Sequence, residues 1–233
     1  MAKSIGMCRA LKLEWLNQTV ELLLEGRSEQ EIKETLTDYL SKDIKSYTNL
    51  HKTISILMNT WIRLPDNLMK LRNQVLKIYS TTDNKLALHW CMLLLTQPLF
   101  NDVCRLIGKI SKIQDTFNTT WLKKQLSETW GANSTVLQGI TRVLLTLKNF
   151  GVIENQKTGT YFIKKIPIKE RDLLELVILS TLFLNQKYYY DFDELISIPQ
   201  FFAFDYHLSY EVLLNSQLFK LSTFGDKLVI NNT

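Results

Sequence analysis

The chain is 233 residues long, 45% hydrophobic and formally +5 at pH 7. That length and apolar content allow a full buried core and two or three compact units, while 8 Gly, 4 Pro and no low-complexity run argue against long flexible linkers. The most apolar segments, 86–100 and 173–184, contain His89, Gln97 and Pro98 or Glu175 and fall short of the roughly 20 apolar residues that span a bilayer; with no leader-like start, a soluble cytoplasmic protein is expected.

Residues 1–114 are expected to form a helical bundle. A first helix over 7–25 turns Leu11, Trp15, Val20, Leu22 and Leu23 inward and stops at Gly26. Ser28 with Glu31 three residues later is a capping box that opens a second helix, where Ile32, Leu36, Tyr39 and Leu40 make the buried stripe. A third helix over 50–64 has Ile54, Leu57, Met58 and Trp61 inward and ends at Leu64-Pro65, since a residue before proline is pushed out of the helical region. A fourth over 68–79 follows Asp66 or Asn67, and a fifth over 85–96 follows Asp83 or Asn84. Pro98 breaks that line, and Asn101 is the expected cap of a sixth helix running to about residue 113. Arg105, Lys109 and Lys112, at intervals of four and three, lay a basic face along it that suits either phosphate contact or plain solvation.

Residues 115–166 read as one device: two short helices, a tight turn and a β-hairpin, the pattern of a winged helix-turn-helix. Asn118 or Thr119 caps the first helix, in which Trp121, Leu122, Leu126 and Trp130 recur at helical spacing with Lys123 and Lys124 between them. Gly131 ends it. Asn133 or Ser134 caps the next, whose Val136, Ile140, Val143, Leu144, Leu147 and Phe150 form an apolar stripe. The other face carries Ser134, Thr135, Gln138, Thr141 and Arg142, side chains able to hydrogen-bond base edges or phosphates. Gly151 closes this helix. Strands from Val152 and over 160–163 then flank a turn at 155–159, with Lys157 on the wing and Lys164 and Lys165 just past it, where a phosphate backbone would run. A unit of this shape also serves in other proteins as a packing or docking element.

Charge is concentrated on the same stretch. Residues 101–170 hold 11 basic and 5 acidic side chains, against 13 and 10 in residues 1–100 and 4 and 8 in residues 171–233. A local cationic excess attracts a polyanion through counterion release, and the acidic tail opposes it.

Residues 167–233 are expected to add helices over 168–184, 192–196 and 209–216 and two strands around Phe224-Gly225-Asp226. Helix, helix, helix and hairpin in that order could be a second, degenerate winged helix. Its acidic balance points to a partner surface or a packing role, and the aromatic residues Tyr188, Tyr189, Tyr190, Phe192, Phe201, Phe202 and Phe204 suit either.

Cys8, Cys91 and Cys104 are odd in number, far apart and set in apolar helical contexts, so no disulfide framework is expected. His89 and Cys91 fall on different helix faces, and His51 and His207 are isolated, so no metal site is assigned. There is no G-x-S-x-G, phosphate-cradling glycine loop or H-E-x-x-H, and the pairs Asp191/Asp193 and Glu29/Glu31 are more simply a turn and a first helical turn. Neither a catalytic residue nor a cofactor is assigned, and the expectation is a non-enzymatic protein.

The helix end EGRSEQEI, the segment WIRLPDNL with Arg63, the run KLALHWCMLLL leading into PLFNDVCRLI, and above all WGANSTVLQGITRVLLTLKNFGVI occur in that order. Together they resemble the BrxA family of BREX bacteriophage-defence systems over most of the chain. The resemblance implies a small DNA-binding component of a defence locus, acting beside a methyltransferase and other larger proteins as further partners. Where the family more usually has basic residues just after the Ser-Thr pair, this chain has Val136, Leu137 and Gln138, so the expected sequence preference is weak. The expected whole is a mainly α protein that binds double-stranded DNA, with Ser134, Thr135, Gln138 and Arg142 toward the major groove. Docking of other proteins in a complex is the alternative reading.

Overall fold

The computed structural model describes residues 6–185, 189–214, 216, 218–224 and 227–232. Six helices come first: α1 (Leu13–Leu24), α2 (Glu29–Ser41), α3 (Tyr47–Trp61), α4 (Asp66–Ile78), α5 (Lys85–Thr96) and α6 (Pro98–Ser111). The capping box forms at α2, where the Glu31 N–H donates to the Ser28 hydroxyl and the Ser28 N–H to the Glu31 carboxylate. Ser46 and Asn84 accept in the same way from the N–H groups of Asn49 and Ala87 at the starts of α3 and α5.

Several expectations are corrected in this region: the third helix runs from Tyr47 to Trp61 instead of over 50–64, and the fourth starts at Asp66 itself, with Pro65 at its N-cap and no side-chain cap. The first helix begins at Leu13, with Lys12 in the extended region, although Met7 and Leu11 are buried. The apolar pattern over 7–12 reports burial of an irregular arm, not a helix face. The sixth helix starts at Pro98, not after an Asn101 cap. Proline suits the first helical position, where an N–H has no partner to lose, and the Asn101 N–H already donates to the Gln97 carbonyl.

The middle of the chain runs β1 (Thr116–Asn118), α7 (Thr119–Trp130), α8 (Ser134–Asn149), β2 (Ile153–Lys157) and β3 (Thr160–Ile163). The three strands form one antiparallel sheet in the order β1-β3-β2. β1 was not expected. At three residues it is too short to show an alternation, and it exists because Phe117 lies opposite Tyr161 with their rings stacked at 5.6 Å. The hairpin turn is tighter than the expected 155–159, because β2 runs through Lys157 and Gly159 takes a left-handed φ of 75°. The Gly159 carbonyl accepts from the Thr119 N–H at 2.9 Å, which fastens the hairpin to the first residue of α7.

The remainder comprises β4 (Ile166–Ile168), α9 (Arg171–Asn185), β5 (Tyr189–Asp191), α10 (Phe192–Ile196), the 3-10 turn η1 (Pro199–Phe201), β6 (Phe204–Tyr206), α11 (Tyr210–Leu214), β7 (Phe219–Phe224) and β8 (Lys227–Asn232). The helix expected from residue 168 starts three residues later, since 166–168 pairs in parallel with β6. The helix expected over 209–216 starts at Tyr210 and is described to Leu214, and Ser216 lies outside it. The three terminal strands pair in the order β5-β8-β7. The expectations that involve Tyr188, Gly225 and Asp226 lie outside the described residues.

Buried side chains from Met7 to Ile230 form a single cluster. Trp90 on α5 is one of its centres: the ring meets Phe100, Phe202 and Phe204 edge-on at 5.1, 5.6 and 5.3 Å, and its N–H donates to the Gln200 carbonyl at 2.9 Å. In the last turn of the next helix, Gly108 lies directly against η1. A β-carbon there would come within 1.8 Å of the Pro199 carbonyl oxygen. Gly108→Ala must therefore push α6 and η1 apart, and it is expected to lower stability in urea unfolding by about 2–3 kcal/mol. An unchanged midpoint would contradict this packing.

His89 is wholly buried on α5, with Nε2 2.8 Å from the Asn17 side-chain oxygen, and Trp61 and Tyr79 edge-on to its ring. Burial, helped by the positive charge of Lys85, lowers its pKa from 6.5 to about 3. The unfolded chain therefore binds a proton below pH 6.5 that the folded one refuses, so His89 contributes stability above that pH and loses it as pH falls. Between pH 6.5 and 5 the stability measured by urea titration should drop by about 2 kcal/mol. A flat profile over that window would show that His89 accepts a proton in place.

Candidate nucleic-acid interface

α7 and α8 are built for a sharp reversal. The Asn118 side chain accepts from the N–H groups of Thr120 and Trp121 to start α7, and Gly131 ends it with a φ of 83°. Only Ala132 separates Gly131 from Asn133, whose side chain accepts the Val136 N–H and opens α8. Val136, Ile140, Val143, Leu144 and Leu147 are then buried, as their spacing predicts.

The outward face of α8 consists of Ser134, Thr135, Gln138, Thr141, Arg142, Leu145, Lys148 and Asn149, all exposed. It carries no acidic side chain. The five α8 residues picked out from the sequence are thus brought together on one arc. The Arg142 guanidinium has no hydrogen bond or ion pair among the described residues, so its charge is available to a partner. The Thr141 hydroxyl is not equally available, since it donates to the Leu137 carbonyl at 3.0 Å.

The last two turns of α8 are held on both sides. Toward the N-terminal arm, the Leu11 N–H donates to the Thr146 hydroxyl and the Asn149 amide donates to the Leu11 carbonyl, each at 2.9 Å. Toward the hairpin, Lys148 donates to the Asn155 side chain at 2.9 Å. Sequence reasoning missed these ties, because a single residue 135 positions away leaves no periodic trace.

The remaining basic residues divide into two groups. Lys124 and Lys157 are exposed and Lys123 is half-buried, and none has a side-chain partner among the described residues. Lys157 ends β2, the strand that Asn155 links to α8. Lys164 is paired with Glu154 across the hairpin at 2.5 Å, which offsets one of the three cations on or beside the wing. Arg105 lies 3.6 Å from Asp102, a carboxylate that also accepts from the Trp130 N–H at the end of α7. Lys109 is exposed and has no side-chain partner among the described residues. Lys112 donates to the Ser197 carbonyl at 3.0 Å, and Lys112 and Lys165 line a groove of about 380 Å³ against residues 196–206. Of the basic face expected along α6, Arg105 is thus paired within its own helix and Lys112 is turned toward the segment between α10 and η1.

Among the described residues no group of three or more His, Cys, Asp or Glu is placed to hold a metal ion, and no helix is long and apolar enough to cross a membrane. Comparison with protein-family models, with curated proteins and with solved structures finds no match for this chain.

The ties to Leu11 set the pose of α8. The double variant Thr146→Val with Asn149→Ala should lower the melting free energy by about 2 kcal/mol, roughly one for each hydrogen bond lost. Arg142→Ala should be close to neutral, since the side chain is exposed and unpartnered. The reverse ranking in thermal unfolding would contradict this account of the helix.

Proposed function

We propose that the protein is a non-enzymatic, double-stranded DNA-binding component of a bacterial phage-defence system of the BREX kind. The DNA reading is carried by one observation: the outward face of α8 is free of acid and presents Gln138 and an unpaired Arg142 on a helix that a three-residue turn joins to α7. The order helix, strand, helix, helix, strand, strand from α6 to β3 is the connectivity of a winged helix, and in that module the second helix of the turn enters the major groove. Lys124 and Lys157 flank the helix and suit the phosphate backbone. The defence role rests on the resemblance to the BrxA family alone. The acidic C-terminal unit suits contact with other proteins of such a system, since a net negative surface is repelled by DNA.

Fluorescence anisotropy with labelled duplex at several salt concentrations tests the DNA reading. Binding with about four to seven phosphate contacts gives a log-log salt slope of roughly −4 to −6. Arg142→Glu should abolish binding while the circular dichroism spectrum and melting temperature stay those of the parent, because the charge reverses where the fold makes no use of it. An Arg142→Glu protein that folds and binds as before would exclude α8 as the DNA-contacting helix, as would failure of the parent to bind any duplex at micromolar concentration and low salt.

Lys164 should contribute less than Lys165. Its charge is already matched by Glu154, so Glu154→Gln is expected to tighten binding by freeing one cation, and to steepen the salt slope by about one. If Glu154→Gln leaves both quantities unchanged, the hairpin lies outside the DNA contact.

A further inference from the structure

One residue on the outward face of α8 does not fit a purely phosphate-binding surface. Leu145 is 39% exposed, in a row otherwise made of Ser134, Thr135, Gln138, Thr141, Arg142, Lys148 and Asn149. At about 100° per residue, Leu145 and Gln138 point within about 20° of each other, near the middle of the exposed arc. Thr141 and Arg142 flank that line. Because the Thr141 hydroxyl is committed to the Leu137 carbonyl, what Thr141 presents outward is chiefly its γ-methyl group. The centre of the helix face thus displays an amide followed by two apolar groups at i+3 and i+7.

We propose that Leu145 and Thr141 contact the C5 methyl group of thymine, and that Gln138 pairs with adenine, so that α8 prefers A·T base pairs. The inference rests on the duplex-DNA reading of this helix. In the major groove, the thymine methyl is the apolar feature that distinguishes T from C, and adenine offers N6 and N7 as a donor and acceptor that an amide matches with two bonds. A leucine that contacted only phosphates would gain nothing from its position. Nor does the surface fit an apolar docking patch, which needs several contiguous exposed hydrophobic residues; Leu145 is hemmed by Arg142, Lys148, Thr141 and Gln138.

The test uses the full chain and three duplexes of one length: an A·T-rich sequence with thymine, the same sequence with deoxyuridine at every thymine, which removes only the C5 methyl groups, and a G·C duplex. The parent protein is expected to bind the thymine duplex about 4- to 15-fold more tightly than the deoxyuridine duplex, the value of one or two methyl groups removed from water. Leu145→Ala should bring the two affinities within about twofold while leaving the salt slope unchanged. Equal binding of thymine and deoxyuridine duplexes by the parent would overturn the proposal and leave the DNA reading standing. No binding to any of the three would overturn the DNA reading itself. Should Leu145→Ala fold and keep the full thymine preference, the methyl contact belongs to other residues and the assignment falls. The parent's discrimination between thymine and deoxyuridine needs no variant, so a misfolded Leu145→Ala protein leaves that arm decisive, and Leu145→Gln supplies the replacement.

Discussion

The contact between Gly108 and the Pro199 carbonyl is the constraint on which the arrangement of this protein depends. A helix can approach another backbone this closely only where a residue has no side chain, and α6 is a helix shared by the bundle, the middle of the chain and η1. It packs against α5 on the bundle side, against β1, α7 and α8 in the middle of the chain, and against η1 toward the C-terminal unit. Close-packed interiors do not slide by small amounts. With Gly108 seated on η1 and the Trp90 ring closed in by Phe100, Phe202 and Phe204, α6 has one position, and α8 inherits its orientation from it.

A second set of ties works through hydrogen bonds. Thr146 and Asn149 hold both backbone groups of Leu11, and Lys148 reaches Asn155 on the hairpin. The residues that serve this purpose are confined to the last turns of α8, which leaves Gln138, Thr141, Arg142 and Leu145 outside the network that positions the helix. On the proposed reading this separation between holding and presenting suits a recognition element, since exposed side chains that make no contact beyond their own helix can meet a partner without loss of tertiary packing.

The chain also uses one connectivity twice. From α6 to β3 the order is helix, strand, two helices and a hairpin, with the first strand paired to the last. From α9 to β8 the same scheme recurs as β5 paired to β8 and β8 to β7, with η1 and β6 inserted and the helix before the hairpin cut to five residues. The charge differs in sign between the two, 11 basic and 5 acidic residues over 101–170 against 4 and 8 over 171–233. Shared topology therefore does not bring shared charge, and on the proposed reading a polyanion suits the first unit and not the second.

Much of this was legible in the chain itself. Local signals determined the capping box at Ser28, the stop at Gly131, the apolar stripe of α8 and the polar face opposite it, and narrowed the caps of α5, α7 and α8 to adjacent pairs of which Asn84, Asn118 and Asn133 serve, because each depends on residues within one or two helical turns. What escaped were features whose cause is distant in sequence. β1, β4 and β6 are three residues each and exist only through partners far along the chain, and the run over 7–12 looked helical because burial by a remote element imitates a helix stripe. The basic residues show the same division. Their types and spacing were plain, but only the tertiary structure decided that Arg142, Lys124 and Lys157 have no side-chain partner among the described residues, that Lys164 is matched by Glu154, and that Lys112 turns toward Ser197. Periodicity reports which face of a helix is buried; whether an exposed charge is already satisfied depends on what the rest of the fold brings within a few ångströms of it.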